Sequence, residues 1–202
     1  MMKAKIAVLV SGGGTNLGAL IKAQSKGELK SGEIAVVISN KSDAYALERA
    51  KNAGIKTEVV LKSQLGSQEA FENKISSILL EYKIDLIVLA GFMTILSADF
   101  TRKYDERIIN VHPSLIPSFC GKGYYGLKVH EEALKKGVKV TGATVHFVNE
   151  IPDGGKIIMQ KAVMVKPDDT PEILQKRVMR LAEWVILPKS CELVCAQIKG
   201  EK

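Results

Sequence analysis

Continuous apolar runs alternate along the chain with stretches whose apolar positions recur every three or four residues. Ile6–Val10, Ile34–Ser39 and the run Asp85-Leu86-Ile87-Val88-Leu89-Ala90 carry almost no polar side chains at their centres. That is the pattern of strands buried on both faces. Between them, Leu17 to about Lys26 reads as a helix. So does a segment capped by Asp43 and running to about Asn52, with Gly54 as its stop. Lys56–Leu61 predicts a weaker strand near an edge. Ser67–Tyr82 predicts an amphipathic helix with Phe71, Ile75, Ile78 and Leu79 on one stripe. A short helix near Ser97–Lys103 leads into a strand that ends at His112. The alternation predicts an α/β fold: a Rossmann-like, mostly parallel central sheet with helices on both faces.

The last third changes character. Leu127–Lys136 reads as a helix stopped by Gly137, and Thr144–Asn149 and Lys156–Val165 as strands of a hairpin or extended edge. A long helix is expected from a Thr170 N-cap, with Pro171 at its first position, to about Lys199. No linker interrupts residues 1–202, so one domain is expected, with 1–100 as a nucleotide-binding-like, phosphate-binding half and 101–202 as a catalytic half.

Composition narrows the picture. Of 202 residues, 46% are hydrophobic but only 5% aromatic, so the core is aliphatic. The net charge of +7 comes from lysines spread along the chain. No arginine-rich run and no aromatic-and-basic stripe is present, which argues against nucleic acid and for small anionic substrates. Three cysteines without framework spacing suit a reducing, cytoplasmic setting. Cys191 and Cys195 share a helix face as small apolar residues. His112, His130 and His146 lack metal-ligand spacing, so no metal is expected. The opening MMKAKIAVLV reads as a first strand, because its apolar run is too short for a signal peptide and leads into glycines. No stretch is long enough to cross a membrane. A monomer or homodimer is expected.

Candidate chemistry concentrates in three places. Asn110 and His112 lie two apart on a strand, so they face the same way, and Pro113 ends the ladder behind them. A neutral donor beside a group that titrates near neutrality suits acyl-type chemistry. Ser11-Gly12-Gly13-Gly14-Thr15-Asn16 joins a buried strand to a helix, a place where backbone amides hold an anion. A dinucleotide fingerprint is disfavoured, because Leu17 stands at its third glycine and Ser39-Asn40 where a ribose-binding acid belongs. Asp153, in a Pro-Asp-Gly-Gly turn, would orient an imidazole if it met His112. His146 reads as a core histidine or a support for the site. His130 reads as exposed and inert, Trp184 as packing and Asp85 as a turn residue.

Taken in order, several stretches resemble the glycinamide ribonucleotide transformylases: Ser11–Asn16, Ala90-Gly-Phe-Met93, Ile95-Leu96-Ser97, Asn110–Pro117, Gly142–Phe147 and Asp153-Gly-Gly155, with Ser39-Asn40 and Glu183 also in place. The resemblance runs through nearly the whole chain. Methionyl-tRNA formyltransferase and formyltetrahydrofolate deformylase share the Asn-x-His-Pro-Ser-Leu core, but those chains are longer and lack this glycine loop. The resemblance implies a formyltransferase fold. It also implies formyl transfer from 10-formyltetrahydrofolate, as co-substrate, to glycinamide ribonucleotide in purine synthesis. It assigns Asn110, His112 and Asp153 to catalysis. Gly13, Gly14, Thr15, Asn16 and Glu183 fall to the ribonucleotide, and Gln68, Met93, Thr94, Ile95, Leu96 and Asn110 to the folate. Thr94 and Gln68 stand where many members carry arginine, and the loop Cys120–Gly126 is longer than the commonest version. A formyltetrahydrofolate hydrolase, a nucleotide-binding module and a nicotinamide-linked oxidoreductase remain as alternatives.

Overall fold

The computed structural model describes residues 2–200. Its strands are β1 (Ala4–Val10), β2 (Gly32–Ser39), β3 (Lys56–Val59), β4 (Leu86–Leu89), β5 (Ile108–His112), β6 (Val140–Phe147) and β7 (Ile157–Met164). They form one seven-stranded sheet in the order β3-β2-β1-β4-β5-β6-β7. β1 to β5 run parallel, and β6 and β7 return antiparallel. The sheet therefore passes through both halves of the chain without a break. The helices are α1 (Thr15–Ser25), α2 (Tyr45–Asn52), α3 (Lys62–Leu65), α4 (Gln68–Glu81), α5 (Ala98–Lys103), α6 (Lys128–Lys136), α7 (Pro171–Val178) and α8 (Trp184–Ile198).

Period-two alternation divides β1 between two cores. Ile6, Val8 and Val10 join Leu17 and Leu20 of α1 and Leu187 and Val194 of α8 on one face. Ala7 and Leu9 join Phe71 and Ile75 of α4 and Phe100 of α5 on the other. Each large aliphatic or aromatic side chain buried this way contributes about 1.5–3 kcal/mol. Ser67 and Ser97 cap α4 and α5 by accepting from the Ala70 and Phe100 amides, and Thr170 caps α7 by accepting from Ile173.

Four expectations change. The residue flanking α2 is Ala44, with no side-chain cap bond, so Asp43 stands one position too early to cap it. β6 begins at Val140, four residues before the expected start, because its pairing with β7 extends from Val140↔Met164. The long C-terminal helix is interrupted by a π-helical turn over Met179–Glu183. Pro188 follows within α8 and has no N–H to donate to the Trp184 carbonyl. Finally, His130 is fully buried, at 0% exposure, with Val129 and Ala133 on the inner face of α6. The charged residues around it point outward, and helical rotation carries the imidazole inward.

The C-terminal ends of β1, β4 and β5 lie side by side. Strand order reverses between β1 and β4, which is where open α/β sheets place their ligands.

Candidate active site

A cavity of about 640 Å³ opens at that crevice. β5 delivers Asn110 and His112 to it, the loop after β4 delivers Met93, Thr94 and Ile95, and the turn between β6 and β7 delivers Asp153. Asn16 and Glu183 line the same cavity.

Asp153 is the hub. Its Oδ2 lies 3.5 Å from His112 Nδ1 and accepts from the Gly121 amide at 2.8 Å, while Oδ1 lies 3.5 Å from His146 Nε2. Burial by itself would raise the Asp153 pKa. The His146 contact, the charge on His112 and the Gly121 N–H together outweigh it, and the carboxyl sits below its ordinary value. The turn that holds Asp153 depends on close backbone approach: a Cβ on Gly155 would stand 1.8 Å from the Phe147 carbonyl oxygen. Asp153 itself is left-handed, at φ 56°, a conformation that aspartate tolerates better than most residues.

His112 is 4% exposed, and both ring nitrogens face oxygen. Nε2 donates to the Phe119 carbonyl at 2.9 Å and Nδ1 faces Asp153. A neutral ring satisfies one of these acceptors, whereas an imidazolium satisfies both. Burial pulls the His112 pKa below its ordinary value, against the opposing pull of Asp153 and the Phe119 carbonyl. The site thus holds a neutral ring ready to accept positive charge.

His146 holds Asn110. Its Nδ1 donates to the Phe147 carbonyl at 2.7 Å, and its Nε2 lies between the Asn110 amide nitrogen, 3.3 Å away, and Asp153 Oδ1, 3.5 Å away. The contact with Asn110 sets which way the carboxamide points. The two residues are register partners across β5 and β6, so the sheet itself brings them together.

At the other end, Asn16 donates to the Glu183 carboxylate at 2.8 Å. Glu183 is almost wholly buried in the π-helical turn, and burial pushes its pKa up to about 7 despite the Asn16 bond. Asn16 Oδ1 is buried without a partner. Gly14 flanks α1 at φ 68°, where a Cβ would stand 2.6 Å from that of Ala46. Only glycine fits there. Arg49, absent from the sequence-derived candidates, donates from Nε to the Gly13 carbonyl at 2.8 Å and braces the loop. Its position in α2, after an unrelated strand, gave no local signal.

The remaining candidates are dispersed. Thr15 faces a neighbouring cleft. Leu96 is buried in the core with Phe100. Gln68 lies outside the cavity and donates to the Ile95 carbonyl at 3.1 Å, propping the wall from behind. Thr94 accepts from the Asn40 amide at 2.7 Å. His130 lines the cavity wall with neither ring nitrogen partnered. Burial first, and then the charge on His112, lower its pKa to about 4. Among the described residues, no cluster of His, Cys, Asp or Glu is placed to hold a metal ion, and no helix is long and apolar enough to cross a membrane.

Comparison with known proteins bears on the fold and the family. Residues 4–189 match the formyl transferase family. Phosphoribosylglycinamide formyltransferase of Haemophilus influenzae is 44% identical over 184 residues, 91% of this chain and 84% of that protein. The trifunctional purine biosynthetic protein adenosine-3 of Gallus gallus is 46% identical over 96% of this chain, which spans only 19% of that longer protein. The crystal structure of glycinamide ribonucleotide transformylase 1 from Symbiobacterium toebii superposes with a TM-score of 0.90 at 39% identity, covering 96% of this chain and 89% of that one. The phosphoribosylglycinamide formyltransferase of Coxiella burnetii superposes at 0.89 and 41% identity, covering 97% and 89%. The chain belongs to the formyl transferase family, among its phosphoribosylglycinamide formyltransferases.

Proposed function

We propose that the chain transfers the formyl group of 10-formyltetrahydrofolate to the amine of glycinamide ribonucleotide. The observation that carries this reading is the Asp153 carboxylate set between two imidazoles, 3.5 Å from each, with Asn110 beside them. The amine nitrogen adds to the formyl carbon, and the carbonyl oxygen becomes an oxyanion. Asn110 and the His112 Nε2–H stabilise that oxygen. Nε2 now donates to Phe119, so the loop from Phe119 to Gly126 lifts and the formyl oxygen takes the place of the carbonyl. Asp153, through a water, takes a proton from the attacking nitrogen and passes it to the departing folate nitrogen, while its charge supports the ring. The C–N bond to the folate breaks as the new amide forms, with no covalent enzyme intermediate.

The first half of the chain supplies the phosphate end. Backbone amides of Gly13, Gly14 and Thr15 and the Asn16 side chain hold the phosphate at the start of α1, and Glu183 accepts from the sugar hydroxyls. Met93, Thr94, Ile95 and Asn110 face the pterin, with Leu96 and Gln68 fixing that wall from behind. Three free thiols, Cys120, Cys191 and Cys195, suit a reducing cytoplasm.

The test is release of tetrahydrofolate product, read by absorbance with and without glycinamide ribonucleotide. Product that depends on the ribonucleotide is the expected result. Equal product without it makes the protein a hydrolase, and none in either case leaves a binding protein.

A further inference from the structure

A second cavity, about 730 Å³, lies between α1 and α8. Thr15 lines it while its neighbour Asn16 lines the catalytic cavity, so the two spaces meet back to back at the glycine loop. The transfer reaction described above leaves this cleft unused.

Its walls have two characters. The floor is apolar, built from Ala19 and Ala23 of α1 and Trp184, Val185 and Pro188 of α8. Trp184 is half-buried, and its indole N–H has no acceptor. The rim is cationic: Lys22, Lys26, Arg49, Arg180 and Lys189, against the carboxylates of Glu28 and Glu192. Glu192 is already engaged, accepting from the Ser31 amide at 3.0 Å and the Ser31 hydroxyl at 2.8 Å. Among the described residues, Lys22, Lys26, Arg180 and Lys189 make no ion pair.

A cluster of unpaired cations around an apolar floor suits a ligand that is both flat and polyanionic. A simple inorganic anion leaves the floor unused, and an uncharged apolar ligand leaves the rim unused. The volume falls within the roughly 300–1,000 Å³ of small-molecule sites. We propose that this cleft binds a nucleoside di- or triphosphate, its base against Trp184 and Pro188 and its phosphates on the lysine and arginine rim. Arg49 belongs to the rim and also holds the Gly13 carbonyl. An anion bound here therefore acts on the phosphate loop, raising the ribonucleotide KM several-fold to a plateau while leaving kcat unchanged. That coupling rests on the proposed transfer function, whereas binding itself does not.

Binding is measured by equilibrium dialysis with labelled ATP, in the presence of saturating glycinamide ribonucleotide. Location is read from Trp184, the only tryptophan in the chain, whose fluorescence should be quenched saturably. In the Lys22→Glu/Lys189→Glu double variant, half-saturation should rise at least tenfold, with circular dichroism unchanged. Inorganic tripolyphosphate, lacking a base, should bind at least tenfold more weakly than ATP. The proposal is overturned by the absence of saturable binding, by unchanged affinity in the double variant, or by equal affinity for tripolyphosphate. It is also overturned if the ribonucleotide displaces ATP fully, because the ATP would then occupy the substrate site. None of these results depends on the transfer assay, so failure of the cleft and failure of the proposed activity are told apart.

Discussion

His112 meets an oxygen acceptor at each ring nitrogen, and its environment pulls in two directions. Burial favours the neutral ring, while the Asp153 carboxylate and the Phe119 carbonyl favour the charged one. Burial prevails at rest. The balance yields a direct prediction: the His112 ring, followed by NMR, titrates below 6.5 in the native protein and lower still in Asp153→Asn. The carboxylate raises that pKa, so its loss can only depress it. An upward move on substitution would show that Asp153 does not act on the ring. At this scale much of the site was legible. Asn110 and His112 share a face because they are two apart on a strand. What was not legible is that His146 holds Asn110 and that His130 turns inward, because both depend on which neighbour the face meets.

At the scale of elements, the turn between β6 and β7 decides whether Asp153 arrives. Within that turn, Gly155 is required by close packing. A methyl group there overlaps the Phe147 carbonyl, 1.8 Å away. Gly155→Ala is expected to displace the turn and lower kcat by 10²-fold or more, roughly the contribution of a positioned acid–base group. Steady-state kinetics on the folded variant would check this, and near-native turnover would refute it. The π-helical turn is the second decisive element. It carries Glu183 into the cavity beside Asn16, 167 positions away in sequence. Such turns recur at functional sites. Pro188 was the one local hint that the long helix is not continuous.

Two buried groups set opposite pH dependences for the molecule as a whole. His130, with its pKa lowered to about 4, favours folding above 6.5, and that contribution is lost as pH falls from 6.5 towards 4. Glu183, with its pKa raised from 4.5 to about 7, favours folding below 4.5, and its contribution is lost as pH rises from 4.5 towards 7. Each is on the order of 3 kcal/mol, and in the native protein they offset one another. His130→Phe should therefore leave a stability that falls as pH rises from 4.5 to 7. Glu183→Gln should leave one that rises from 4 to 6.5, together with weaker ribonucleotide binding. Urea denaturation of both variants across pH 4–8 is the measurement. Parallel curves would mean that neither group titrates as its burial implies.

Strand and helix periodicity, the Thr170 cap, the glycine loop and the Asn110–His112 pair follow from neighbouring residues alone, because backbone geometry repeats every two residues in a strand and every 3.6 in a helix. The sequence by itself therefore determined the layered α/β architecture and two of the three residues of the proposed catalytic trio. Tertiary structure alone decided the rest: Asp153 between two imidazoles, Asn16 against Glu183, Arg49 behind Gly13 and His130 in the cavity wall. Each of these joins elements far apart along the chain. Sheet register and helix packing set such meetings, and no local pattern of side chains encodes them.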